Sequence, residues 1–478
     1  MSVWPILRPS QKASSQSSMK SAWTIVPFEF DEATGALTAG SHPALTVFEG
    51  ALKVVGKGAN AQLKTTGAVS VGMRGAQGTV QPSLTLDNVY LNGTEWSNRF
   101  MVAPGMGLDD PKSCDDFVNT ATVTLTNAAS LYVYSMYVNR LNQNPNQRTV
   151  FDLSGNSWMN FTMLSPNRAG VAGTEAVYNF RDSNLYVGHG TSATSGGLEL
   201  AWPFEMTFDH GVLRGSKSVT SGACAFARLY PEPNGSDVYY PKASYATFTF
   251  KNDSECRVRS VAYSDKAAQP IAFNFDGSAW IPSEGDYTFA WDDPTKIAIT
   301  ATGAGLKLPV PAEKTWTLAQ PVLGRGPVVN DGAGTLKLAA GFDRTSGAIR
   351  AEAGATVDLD GAAHKIFIAG PGTFANGSIV AGGGLYLPVD DAFNVGPMPV
   401  LSNVTLPAAT RVNIARDENP LVAPYQPIAL FTYEGEAPDV SKWRLVGTGV
   451  QGLGGVFEAR DGVVTVTPVM KGVSYILR

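Results

Sequence analysis

Residues 332–361 read GAGTLKLAAGFDRTSGAIRAEAGATVDLDG. Two short bursts of alternation, Leu336-x-Leu338 and Val357-x-Leu359, each end within a few residues at Gly, Asp or Ala. In a strand, residues i and i+2 share a face, so each burst aims two apolar side chains to one side. A strand of that length crosses one face of a coil and then must turn. Between the bursts the text is small and polar, and it reads as turns.

The same unit recurs upstream with larger side chains: apolar-x-apolar, a polar corner, then another short apolar strand. Its copies begin at Leu84-Thr-Leu86, Val123-Thr-Leu125, Phe151-Asp-Leu153 and Tyr178-Asn-Phe180. They continue at Met206-Thr-Phe208, Phe248-Thr-Phe250, Phe273-Asn-Phe275 and Ile297-Ala-Ile299. With the second apolar residue as marker, the steps are roughly 39, 28, 27, 28, 42, 25 and 24 residues, the size of solenoid coils. Asp, Asn and Gly at the corners tolerate the left-handed backbone of a sharp bend. One coil cannot bury its apolar face alone; stacked coils bury it continuously. The expected fold is all-β, a right-handed parallel β-helix (β-solenoid) with Gly-rich C-terminal coils and closing strands. Stacked β-sandwich domains are the competing architecture.

The bulk properties agree. Among 478 residues, 50 are Gly, 30 are Pro and only 16% are charged, which suits a turn-rich β protein. A net charge of −5 with no Lys/Arg cluster argues against nucleic-acid binding. Cys114, Cys224 and Cys256 are too few and too scattered for a disulfide scaffold or a metal knuckle, leaving one disulfide plus a thiol, or three thiols. No apolar run reaches the roughly 18–20 residues that span a bilayer. The first residues, MSVWPILRPSQKASSQSSMKSAW, lack the pattern of a signal peptide.

From about residue 315 aromatics thin out and Gly and Ala rise. Gly332-Ala-Gly334-Thr335-Leu336-Lys-Leu338, then Gly354-Ala-Thr356-Val357-Asp-Leu359, resembles the two halves of the autotransporter-associated β-strand repeat of bacterial surface passengers. GPGTFANGSIVAGGGLYL (370–387) resembles a further, degenerate copy, and the end, with VSKW before VFEARDGVVTV, resembles the closing strands of such passengers. The resemblance covers the last third of the chain. It implies an extracellular or cell-surface protein. The roughly 40 residues after the last solenoid strand are too few for a membrane-spanning barrel, so it implies a passenger without its transporter.

The expected organisation is a terminal segment and cap over 1–50 and a solenoid over 51–314. Gly-rich repeats over 315–400 and closing strands over 401–478 follow. Two coils exceed the common step, with long loops near 94–116 and 214–245, where binding or catalysis would sit. Asp109, Asp110, Asp115 and Asp116 could supply oxygen ligands to Ca²⁺, or carboxylates for glycan cleavage; the alternative is a solvated turn beside Pro111. Trp96, Phe100, Tyr230, Tyr239 and Tyr240 could stack on sugars; the alternative is packing of each loop on its coil. Asp182, Asp209 and His210 fall at equivalent corners of successive coils and could line a groove as in β-helix glycoside hydrolases and lyases, although corners favour Asp and Asn anyway. No nucleophile elbow, P-loop or dinucleotide fingerprint is present. The sequence therefore ranks a structural or adhesive surface protein first, with a glycan or host-matrix partner. A polysaccharide lyase, glycoside hydrolase or glycan-binding module comes second, and a self-associating phage or appendage fibre third.

Overall fold

A computed structural model describes residues 28–470 apart from segments 32–35, 40–44, 48–50, 57–60, 66–67, 73–80, 94–98, 104–119, 139–146, 167–174, 188–196, 200–203, 215–225, 229–245, 263–269, 292–293, 389–398, 416–425, 434–435, 448–449 and residue 451. The chain is all-β, its strands mostly parallel and stacked coil on coil in the β-solenoid manner. It divides into two compact units, Met1–Phe273 and Asn274–Arg478. No helix among the described residues is long and apolar enough to cross a membrane.

In the first unit the strands form three columns. The first stacks Ala51–Val55, Ser83–Asp87, Thr120–Thr126, Arg148–Leu153, Glu175–Arg181, Phe204–Asp209 and Ala246–Lys251, each parallel to the next. The marker residues pair one to one along it: Leu86 with Leu125, Leu125 with Leu153, then Phe180, Phe208 and Phe250 in turn. The second column runs through Tyr90–Gly93, the first half of Ser130–Val138, the first half of Trp158–Pro166, Asn184–Val187, Val212–Arg214 and Glu255–Arg257. The third runs through Val69–Val71, Arg99–Val102, the second halves of Ser130–Val138 and Trp158–Pro166, Gly197–Glu199, Phe226–Arg228 and Ser260–Ala262. This third column corrects the sequence reading of two long loops. Arg99–Val102 lies inside 94–116 and Phe226–Arg228 inside 214–245, so each stretch contributes a coil strand. Both are only three or four residues long, too short to show a period beside the polar text around them.

Alternation makes the interior. The strand Thr120–Thr126 has Ala121, Val123 and Leu125 fully buried and its threonines turned outward. Because the coils are in register, like side chains stack at the strand spacing of about 4.8 Å. Phe151 and Tyr178 stack at 4.8 Å, Phe180 and Phe208 at 4.6 Å, Phe208 and Phe250 at 5.0 Å, and Phe248 and Phe273 at 4.9 Å, all within 9° of parallel. Each such ring removed from water stabilises the fold by roughly 1.5–3 kcal/mol. The corners between the first and second columns hold positive φ at Asn88, Asn127, Asn156, Asp182, His210 and Asn252.

The second unit carries two ladders. One stacks Ile297–Lys307, Val328–Asn330, Arg344–Ala351, Ile366–Ala369, Gly384–Pro388, Arg411–Ala415 and Arg444–Val446. The other stacks Tyr287–Phe289, Thr315–Leu318, Thr335–Leu338, Thr356–Asp358, Thr373–Ile379, Val400–Thr405 and Ile428–Thr432. The second ladder ends on an antiparallel hairpin, Leu453–Arg460 with Val463–Met470, turned at Asp461-Gly462. Trp443 packs between Phe431 (5.9 Å) and Phe457 (5.8 Å) beneath it.

The opening stretch is thereby explained and corrected. Leu336 pairs directly with Val357, so its two bursts are the same strand on consecutive coils. The space between them is filled by Arg344–Ala351, an eight-residue strand of the other ladder with Ile349 fully buried. The sequence shows only turns there because the strand's register shifts between Arg344 and Ala348, which interrupts the alternation.

Candidate functional site

The irregularity in Arg344–Ala351 builds a site. The residues 345–347 bulge outward from the ladder, and Arg344 turns inward beneath them, 2% exposed. Its guanidinium donates to the carbonyls of Val322, Leu323 (3.4 Å), Gly324 (3.3 Å) and Gly326. Ser346 Oγ donates to the Gly324 carbonyl as well, at 2.6 Å. One buried cation thus ties down the turn 322–326, which carries the exposed Arg325. Gly347 must be glycine, since a Cβ there would stand 2.5 Å from the Gly326 carbonyl and 2.8 Å from Arg344 Nη2. Burial lowers the Arg344 pKa to about 10, so the side chain remains charged at neutral pH.

Beside this bulge lies a cavity of about 340 Å³ on the outward side of the ladder. The inward residues of these strands are Ile349, Ile368, Leu385 and Val412, all fully buried. The outward phase supplies Ala348 and Phe367, which pair with each other, and Arg350 and Ala369, which likewise pair. One coil further on, Tyr386 pairs with Asn413. The cavity floor is apolar (Ala348, Phe367, Ala369) and its rim polar (Arg325, Ser346, Arg350, Asn413), with the half-exposed Tyr386 ring against the floor. Arg350 Nε is ion-paired with Glu352 at 2.6 Å. The Arg411 guanidinium stands 5.9 Å from the centre of the Phe367 ring. Among the described residues neither Arg325 nor Arg411 has a carboxylate partner. An apolar floor, a few convergent polar groups and unpaired positive charge are the makings of a small-molecule or sugar site.

The residues singled out in the sequence fall elsewhere. Asp109, Asp110, Asp115, Asp116, Trp96, Tyr230, Tyr239 and Tyr240 lie outside the described residues. Phe100 is fully buried in Arg99–Val102, so its ring packs inside the coil and offers no face to a sugar. Asp182 and His210 both occupy left-handed corners, φ 47° and 54°. Their register partner is therefore each other's position, whereas Asp209 lies opposite Arg181 on one side and Lys251 on the other. Asp209 accepts a hydrogen bond from Asn252 Nδ2 (2.7 Å), ion-pairs with Lys251 Nζ at 3.2 Å and lies 3.2 Å from His210 Nδ1. The Asn252 hydrogen bond, with Lys251 and His210 adding to it, holds its carboxyl below the usual range. A glycosidase acid needs the opposite shift. The arrangement is a polar ladder on the outside of the coils, repeated where Asp152 pairs with Arg181 at 2.7 Å and Asp87 with Lys53 at 2.7 Å. Cys256 is a free, buried thiol whose pKa burial pushes up; Cys114 and Cys224 lie outside the described residues.

No family model matches the sequence, and no curated protein matches it.

The groove around Arg325 and Tyr386 was missed in the sequence. Nothing in the sequence marks it: Arg325, Arg344, Arg350, Phe367 and Tyr386 stand among other charged and aromatic residues of the same stretch, such as Lys337, Phe342, Glu352 and Phe374.

Proposed function

We propose that this chain is an extracellular or cell-surface scaffold of the passenger-like kind, a right-handed β-helix that presents ligand-binding features on its outer face. One observation carries the reading: coils stacked in register bury a continuous ladder of apolar side chains, while the outward phase is free to vary and, in the second unit, forms the groove beside Arg325. A repeat architecture of this sort gains stability from each neighbouring coil and holds its outer face rigidly. Right-handedness is the rule for parallel strands joined by crossovers. The resemblance of Gly332–Leu338 to the passenger repeat supports the surface location.

The groove also favours glycan binding over a purely mechanical role, because an apolar floor with an aromatic ring and polar rim suits the amphipathic faces of a sugar. The test is an array of glycans and matrix proteins probed with the purified chain, alongside protease shaving of intact cells expressing it. Saturable binding to one ligand class and loss of the chain on shaving are expected. A chain protected from shaving and released only by lysis would contradict the surface role.

A further inference from the structure

We propose that the groove beside Arg325 binds the carboxylate of an acidic sugar, a uronic-acid residue of a polysaccharide, with Tyr386 stacking on the sugar ring. This rests on the ligand-binding reading above and names its chemical class. The observations are geometric. Arg325 lines the cavity, is exposed, and has no carboxylate partner among the described residues, although the chain as a whole is net negative. A guanidinium in that state is a preformed fork for a planar carboxylate. It is also held in place: Arg344, buried beneath it, fixes the carbonyls on both sides of residue 325. That buried guanidinium adds a second positive charge under the groove without competing for the ligand, since it is 2% exposed and its Nη groups are engaged by carbonyls. Arg411 adds a third over Phe367.

The rest of the cavity distinguishes a sugar acid from a bare anion. Inorganic phosphate or sulfate would use the arginine alone and make no contact with the apolar floor. An acidic peptide would supply the carboxylate but no flat, C–H-rich face for the ring. A pyranose offers that face together with hydroxyls that Asn413 and Ser346 can bond. The volume of about 340 Å³ is at the lower end of the roughly 300–1,000 Å³ of small-molecule sites, which fits recognition of a short stretch of a longer chain.

The experiment is calorimetric titration of the purified full chain with galacturonic acid tetrasaccharide, its fully methyl-esterified counterpart, a short poly-glutamate and inorganic sulfate. The acid tetrasaccharide should bind at least tenfold tighter than each of the other three. Arg325→Glu should weaken it at least tenfold. Tyr386→Ala should weaken the acid and the ester alike, because it removes stacking and no charge. Both side chains lie at the surface, and unchanged circular dichroism and melting temperature will show that the variants fold. Equal binding of acid and ester, binding of poly-glutamate or sulfate as tight as the sugar, or an Arg325→Glu variant that binds as well as the parent would each overturn the proposal. Those results together with a positive glycan array would leave the ligand-binding scaffold standing and remove only its acidic specificity. An array with no hits at all would remove both.

Discussion

At the residue scale the side chain on which most depends is Arg344. A charged guanidinium buried without a carboxylate is costly unless its donors are satisfied; here the two Nη groups donate to four carbonyls of 322–326, while Nε is buried without a partner. Replacing Arg344 by Met leaves those carbonyls without their donor and releases the turn. We expect a loss of about 3–5 kcal/mol, read from urea or thermal unfolding of the second unit. Arg344→Lys should recover little of it, since an ammonium cannot reach carbonyls spread over five residues. Asp209 gives the second prediction. Its folded pKa is depressed by Asn252 and its cationic neighbours, so its contribution is present above the unfolded value of about 3.9 and is lost as pH falls through the folded value. Stability of the parent should therefore fall more steeply below about pH 4 than that of Asp209→Asn, with a difference at neutral pH under about 1 kcal/mol. Equal acid limbs for the two proteins would show that the polar ladder is not formed. The corner residues were legible in the sequence as turn formers, and His210 joins them: its φ of 54° is one that His adopts more readily than bulkier residues. What could not be read was the environment of Asp209, which comes from residues 28 and 42 positions away that register alone brings opposite it.

At the scale of the element, the eight marker pairs located strands well wherever the alternation was clean. Leu86, Leu125, Leu153, Phe180, Phe208 and Phe250 form one column, as their spacing implied. The third column went unread because its strands, such as Val69–Val71 and Arg99–Val102, are short and set in polar text. Arg344–Ala351 went unread because a bulge breaks its period, and the same bulge makes the groove. The groove and its illegibility share a cause there: a regular strand would have been easy to find and would have left no rim. The aromatic stack supplies the third prediction. Phe208 is fully buried between Phe180 and Phe250, so Phe208→Ala opens a gap that rigid flanking coils cannot close. We expect about 3–5 kcal/mol of destabilisation. Phe208→Leu should cost markedly less, because it keeps most of the volume. If Phe208→Ala instead costs no more than a surface substitution, the ring does not stack inside the coils.

At the scale of the whole molecule, the plan differs between the two units. Three columns of strands stack in the first, with coils of roughly 28 residues over its Phe- and Tyr-rich stretch, and two ladders stack in the second, with coils of about 20 residues over Thr315–Asp358. Fewer strands per coil make a shorter coil, and the Gly-rich text supplies the tight bends. The fold class was thus readable from periodicity, because parallel stacking repeats one chemical pattern many times over. The candidate site was not, because it is written once, on the outward phase, where no repetition draws attention to it. The stacked interior, the outer polar ladder and the groove all depend on register. The direct measurement is cysteine cross-linking in a background with Cys114, Cys224 and Cys256 replaced, using a short bis-thiosulfonate reagent. Thr207 with Thr249, and Lys337 with Asp358, are register partners on adjacent coils and face outward. Both cysteine pairs should cross-link rapidly, whereas Asn179 with Thr249, two coils apart, should not. Cross-linking of the Asn179–Thr249 pair at the same rate, or failure of both register pairs in folded protein, would contradict the stacked parallel coils.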